Sequence, residues 1–547
     1  MHRLRFFTAA LLIAISAGTA ASQRTANLQL LKVLDPNQTP GQVFRYSEVT
    51  GCGDIAAIAG WSFGDNGRNV YLYDVSNPQA PDSLSTITST RSVYDVQIHG
   101  KYIYLAVQNG GYIDVFDILD PRKPVLVNHF RPGGNESISP HTFWVAGNVL
   151  YVTDNFTSVV LYDITDERNI VRKLVYHDGF GGSHDNTALR GKWYGAFIYN
   201  PAGIGYFDVS VPFAPSELAR AQYPGAGTHN AWPTEDERYI LTTDEIGGTT
   251  HDLKIWATST AGQLNFVAQY AARPGATIHN VYVRGRYAYM SYYCDGFRIV
   301  DLIDPTQPKE VAAYNLAEGT PCTDYDSVWG IYPFSKYVYV SDMRSGLHIF
   351  NFDDHVPANF IGTVKHATTD APIAGAYVYF VDEYATTRSN ATGEYEIPWF
   401  KDGEVRVAAE ALGFFADTAS VNITASGETQ WHFKLRPKGT THVEESSDAP
   451  NDFALLPSYP NPFALSANAA PLNLTYYLPA SARVEVTITN TLGQTVKKLV
   501  ARNQSQGRHV AAWSGTDEQG RQVSAGIYFV QLRAGGRVLQ QKVMVVR

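Results

Sequence analysis

The chain has 547 residues and carries 43 Lys and Arg against 52 Asp and Glu, a net charge of -9. That balance provides no basic patch able to release counterions from a phosphate backbone, so nucleic acid is excluded as a partner. The length calls for about two to four domains, and 34 Tyr and 26 Phe set among Val- and Thr-rich runs favour strands over helices.

Residues 1–21 read as a secretory signal peptide. Arg3 and Arg5 open it, an apolar run follows from Phe6 to Ala17, and Gly18-Thr19-Ala20-Ala21 provides small residues for cleavage. The apolar run is shorter than the roughly 20 residues that cross a bilayer. No other segment is apolar enough, so no transmembrane segment is expected in the mature chain. The expected location is extracellular or on the outer-membrane surface.

From residue 70 onward one phrase recurs seven times: VYLYD, IDVFD, VVLYD, IGYFD, LKIWA, FRIVD and LHIFN. Its last position is Asp74, Asp117, Asp163, Asp208, Ala257, Asp301 and Asn351, spaced 43 to 50 residues apart, and most copies are followed by a Pro-containing turn. A β-rich period of that length is the signature of propeller blades. Within the second repeat, SVYDVQIHG, KYIYLAVQ, GYIDVFDIL and KPVLVNHF alternate as four short antiparallel strands, and the sixth repeat copies the pattern. The recurring Asp closes the third strand and is read as a turn acceptor, a scaffold role.

The seventh repeat supplies only three strands, SVWGIYPF, KYVYVSD and GLHIFNF. Residues 28–35 (LQLLKVLD) resemble an outer strand and precede the first full repeat. Pairing them with the seventh repeat would close the ring and hide two sheet edges. The fold class predicted is therefore all-β: a seven-bladed β-propeller over 27–357, followed by two small β-sandwich domains.

These strand-then-Asp phrases, FRIVD above all, resemble the LVIVD repeat, and residues 27–357 resemble the choice-of-anchor B family of secreted propellers. That resemblance implies an extracellular propeller and brings no catalytic motif with it. Residues 358–437, with Pro372-Ile373-Ala374-Gly375-Ala376 and Thr392-Gly393-Glu394-Tyr395, resemble the carboxypeptidase regulatory-like domain, which implies an accessory β-sandwich acting as a spacer. Residues 438–452 are polar and acidic and read as a linker. Residues 453–547 are similar to the type IX secretion C-terminal sorting domain through Tyr459-Pro460-Asn461-Pro462-Phe463, Tyr477-Leu478-Pro479, Asn490-Thr491-Leu492-Gly493-Gln494, Trp513 and Gly526-Ile527-Tyr528-Phe529. The resemblance implies export by the type IX machinery, acting through 453–547.

Three cysteines do not make a disulfide framework. Cys294–Cys322 is the favoured pair, because the two flank the junction of the sixth and seventh repeats; Cys52–Cys322 is the rival.

Candidate chemistry gathers where first strands begin. His141, His184, His229 and His279 occupy that place in four consecutive repeats, and Tyr94 and Trp329 hold it in the second and seventh. First strands line a propeller's axis, so these side chains should ring the channel mouth, with Asp185, Asn186, Asn230 and Asn280 beside them. Such a set suits a divalent metal or an anionic ligand, with no more than two or three His on one ion. The same His positions equally suit hydrogen bonds between blades. No catalytic residue is assigned, since HExxH and GxxxxGK[ST] are missing from the sequence. The expected function is a binding platform for an extracellular protein or glycan. The alternative is a metal-dependent, lactonase-like hydrolase with its ion at the channel mouth.

Overall fold

The computed structural model describes residues 27–37, 43–61, 68–107, 111–132, 140–154, 158–177, 182–199, 202–247, 251–259, 262–316, 325–353, 359–399, 401–424, 427–438, 454–455, 458, 463–465 and 472–546. Residues 1–21, read above as a signal peptide, Cys322, residues 439–452 of the expected linker and the Tyr459–Pro462 segment lie outside the described residues.

Seven four-stranded antiparallel sheets follow one another along the chain. Blades 1 to 6 run from first to fourth strand as Tyr46–Cys52 to Asp82–Thr88, Val93–His99 to Val125–Phe130, and Pro140–Ala146 to Val171–Tyr176, then Asp185–Leu189 to Ser216–Gln222, Thr228–Pro233 to Leu264–Tyr270, and Val281–Arg284 to Lys309–Tyr314. Blade 7 takes Val328–Tyr332, Val338–Asp342 and Gly346–Phe352 from its own repeat. Its outer strand is Leu28–Leu34, antiparallel to Gly346–Phe352, with Leu28 opposite Phe352 and Leu34 opposite Leu347. The first strands of blades 1 and 7 lie side by side, which closes the ring.

Burial follows position in the blade. Every residue of Tyr46–Cys52 and of the second strand Tyr102–Val107 is buried, whereas the fourth strand Asp82–Thr88 is mostly exposed. The second strand (YIYLAV), covered on both faces, is a continuous apolar run, whereas the axial strand Tyr46–Cys52 buries Ser47, Glu48 and Thr50 and the outer strand is polar. Between blades the filling is aromatic: Tyr176 of blade 3 meets Trp193 of blade 4 edge-on at 5.1 Å, and Phe297 of blade 6 meets Phe350 of blade 7 edge-on at 4.8 Å. The recurring Asp does what its position suggests. Asp74, Asp117, Asp163, Asp208 and Asp301 each accept a bond of 2.8–3.0 Å from the amide two residues ahead.

Two further sheets form the next domain, Phe360–His366 with Glu394–Ile397 and Thr429–Leu435, and Tyr377–Phe380 with Thr386–Arg388, Gly403–Glu410 and Asp417–Ile423. They enclose a core of Phe360, Val378, Phe380, Tyr395, Trp399 and Phe433. The sequence suggests a spacer, but this domain is packed directly on the propeller. The Tyr377 hydroxyl donates to the Ile118 carbonyl at 2.7 Å, Arg388 pairs with Asp54 at 2.5 Å, and Lys101 pairs with Glu410 at 2.5 Å. The Arg190 amide donates to Glu383 at 2.8 Å. The hairpin glycines of the blades permit this approach: at Gly147 (φ 56°) a Cβ would lie 2.9 Å from the backbone of Asp382.

The C-terminal unit is a separate sandwich of a three-stranded and a five-stranded sheet, closed over Leu474, Val484, Val486, Ile488, Trp513, Val530 and Leu532.

Cys294 is disulfide-bonded, and Cys52 is a free thiol buried against Thr386, so the Cys52–Cys322 pair is not formed.

Candidate binding site at the channel mouth

Each first strand enters the axis with one ring-bearing side chain in blades 2 to 7, and these rings meet in sequence. Centroids are 4.8 Å apart for Tyr94–His141, 4.6 Å for His141–His184, 4.1 Å for His184–His229 and 4.1 Å for His229–His279. Trp329 follows His279 at 5.1 Å and lies 6.1 Å from Tyr94, which closes the circle. Trp61 sits against both Tyr94 and Trp329, at 5.9 and 5.7 Å. The circle is asymmetric. His184, His229 and His279 are buried, while Tyr94, His141 and Trp329 are partly exposed.

One residue further along the first strands lies a layer of acids and amides: Glu48, Asp95, Asp185, Asn230 and Asn280. Asn280 donates to Glu48 Oε2 and Asn230 to Asp185 Oδ2, each at 3.0 Å, and the Phe143 amide donates to Asp95 Oδ2 at 3.0 Å. Blade 7 contributes Gly330 here, and that vacancy seats Glu48: a Cβ on Gly330 would lie 1.9 Å from Glu48 Oε1. Asn186 departs from the sequence expectation. Its Oδ1 accepts from Ser183 Oγ and Trp193 Nε1, and its Nδ2 donates to Thr153, so its amide is committed inside the blades.

Burial dominates the electrostatics. It pushes His141 down to about 4 and His279 to about 3, and it holds His184 and His229 well below the usual imidazole range. The same burial raises Asp95 to about 7 and Asp185 to about 6, with Glu48 well above its ordinary value. His279 Nδ1 is 2.6 Å from the Trp329 carbonyl, a bond that requires the proton on Nδ1 and leaves Nε2 with the lone pair. The imidazoles are thus neutral potential ligands at neutral pH.

Glu245, after the second strand of blade 5, reaches into the circle from the side. Its Oε2 is 3.8 Å from His229 Nε2, and Oε1 accepts from the Tyr293 hydroxyl at 2.7 Å. Tyr293 holds a left-handed φ of 33°, a strained backbone for a bulky residue. His184, His229 and Glu245 place one ligand atom each within 4.8 Å of one another, all three residues buried. The sequence reading brought the four His, Asp185, Asn230 and Asn280 to this place, but it missed Glu48, Asp95 and Glu245. Glu48 and Asp95 were findable, since each holds the register of Asp185 in its own repeat. Glu245 follows no repeat and left no signal.

The channel behind the circle holds a cavity of about 60 Å³. Its far end is closed by Tyr384 of the second domain, 5.9 Å from both Trp144 and Trp232 and 5.4 Å from Phe334. A larger cavity of about 800 Å³ lies between that face and the second domain, where Asp54, Arg190, Glu235 and Arg388 line it. Those charges are matched, Arg388 with Asp54 and Arg190 with Glu235.

Comparison with known families and structures fits this architecture. Residues 90–131 and 275–316 match the LVIVD repeat, 360–436 the carboxypeptidase regulatory-like domain, and 462–537 the FlgD Ig-like domain. No curated protein matches the sequence. Among solved structures, a chain of the mitotic checkpoint complex is 13% identical with a TM-score of 0.46, over 64% of this chain and all of that one. The WD40 repeats of RRP9 give 11% and 0.44, over 61% and 100%. A putative 6-phosphogluconolactonase from Bacteroides fragilis gives 12% and 0.40, over 51% and 97%. Nothing about function follows from likenesses at this level.

Proposed function

We propose that the protein is a secreted or cell-surface binding platform, exported by the type IX route through residues 453–547, which captures an extracellular protein or glycan at the channel mouth. The observation that carries the reading is the one-sided channel: Tyr384 closes one end, and Tyr94, His141 and Trp329 stay partly exposed at the other. Flat rings around a concave mouth supply stacking area at low cost in side-chain entropy, which suits sugars and peptide side chains. The docked second domain acts as a base for the propeller, and the C-terminal sandwich serves as the export address.

The test is direct. Immobilised glycans and extracellular protein extracts are probed with the purified chain and with Trp329→Ala and Tyr94→Ala variants. A retained ligand should be lost by at least about tenfold in affinity from either variant, as expected of an aromatic anchor. Ligands held equally by both variants would remove the mouth from the reading. Truncation at residue 452 should leave the protein inside the producing cell envelope; unchanged export would refute the type IX address. The lactonase-like alternative gains nothing from the putative 6-phosphogluconolactonase, which shares only a remote likeness of chain path.

A further inference from the structure

We infer that His184, His229 and Glu245 bind a divalent transition-metal ion of the Zn²⁺ type at the channel mouth. The three come from different segments, yet their ligand atoms all lie within 4.8 Å of one another and all three side chains are buried. Around Zn²⁺, bonds of about 2.0–2.2 Å place ligand atoms roughly 3.3–3.6 Å apart, so side-chain adjustments of about 1 Å complete the set.

His229 carries the argument. Its Nε2 faces Glu245 Oε2 and its Nδ1 faces Asp185 Oδ2, each at 3.8 Å. A metal-bound imidazole characteristically gives its second nitrogen to a carboxylate, which fixes the tautomer and the ring plane. Asp185 is itself held by Asn230 Nδ2 at 3.0 Å, and the second oxygen of Glu245 is occupied by the Tyr293 hydroxyl. The outer partners of a metal site are therefore in place. Independently, His229 is only 2% exposed and its Nδ1 makes no hydrogen bond, an uncommon condition for a buried polar atom. Binding the ion through Nε2 and drawing Nδ1–H onto Asp185 relieves it.

The described lining of the neighbouring channel includes Glu48, Asp95 and Asp185 but no Lys or Arg, so no fixed cation competes with a metal ion there. Two imidazoles and one carboxylate favour Zn²⁺ and its first-row neighbours over Ca²⁺ or Mg²⁺, which prefer all-oxygen shells. Three protein ligands leave a position for water or for a donor oxygen of whatever occupies the mouth. The inference is independent of the platform reading, which is tested at Tyr94 and Trp329.

The experiment uses the untagged full chain, stripped with a chelator and titrated separately with Zn²⁺, Co²⁺ and Ca²⁺. One equivalent of Zn²⁺ or Co²⁺ should bind, with Co²⁺ giving the intense visible bands of a four- or five-coordinate site. Glu245→Gln should weaken binding at least tenfold, and Asp185→Asn by about 10- to 100-fold, with circular dichroism unchanged. Asp185→Asn keeps the test valid should Glu245→Gln fail to fold. Failure to bind one equivalent, preference for Ca²⁺, or Zn²⁺ affinity untouched by both substitutions would overturn the inference.

Discussion

Buried titratable groups of opposite kinds share the channel, and their linkages to folding oppose each other. Asp95 is raised to about 7, chiefly by burial and then by the Asp185 charge, and Glu48 faces it as well. Its folded pKa exceeds the unfolded one, so its contribution is full below about pH 4 and is lost as pH rises through about 7. The His residues behave in the reverse sense. With His141 near 4 and His279 near 3, the unfolded chain binds more protons, and stability is lost as pH falls below about 6.5. The two slopes offset each other in the wild type. Asp95→Asn removes one falling slope, so stability of the metal-free variant relative to wild type should improve from pH 4 to pH 7. The gain should be on the order of 2 kcal/mol, discounted because the carboxylate is partly exposed. Urea midpoints at both pH values check it, and parallel profiles would refute it.

At the scale of elements, closure of the ring rests on one short strand. Leu28–Leu34 pairs with Gly346–Phe352, buries Leu28 completely, and covers what would be an open edge of blade 7. Deleting residues 23–36 should cost about 5 kcal/mol or more, from lost burial of Leu28, Leu30, Leu31 and Leu34. Thermal melting of the deleted chain checks this, and an unchanged midpoint would show that blade 7 stands without its outer strand. This strand was readable in advance because repeats count themselves: a blade with three strands advertises a fourth elsewhere. The blade hairpins turn on Gly53, Gly100 and Gly147 at positive φ. Blade 4 breaks that pattern with Arg190 at φ 52°, where a side chain is needed more than an unstrained backbone.

Arg190 also decides something for the whole molecule. It is 8% exposed, pairs with Glu235 at 2.9 Å and Glu237 at 2.7 Å, and its amide holds Glu383 of the second domain. Arg190→Ala leaves Glu235 in the interdomain cavity without its cation and should destabilise this unit by about 3 kcal/mol. Limited proteolysis should then cut between the propeller and the second domain faster than in wild type; equal rates would mean that Tyr377, Tyr384 and Arg388 suffice for docking. The sequence by itself determined the all-β class, the blade count, the missing strand and the circle of His residues. Each of these follows from a pattern that every repeat restates locally, strand by strand. Only the tertiary structure decided that Tyr384 closes the channel, that Asn186 turns away, and that Glu245 joins His184 and His229. Those contacts join residues far apart in the chain, by packing geometry that no local period encodes.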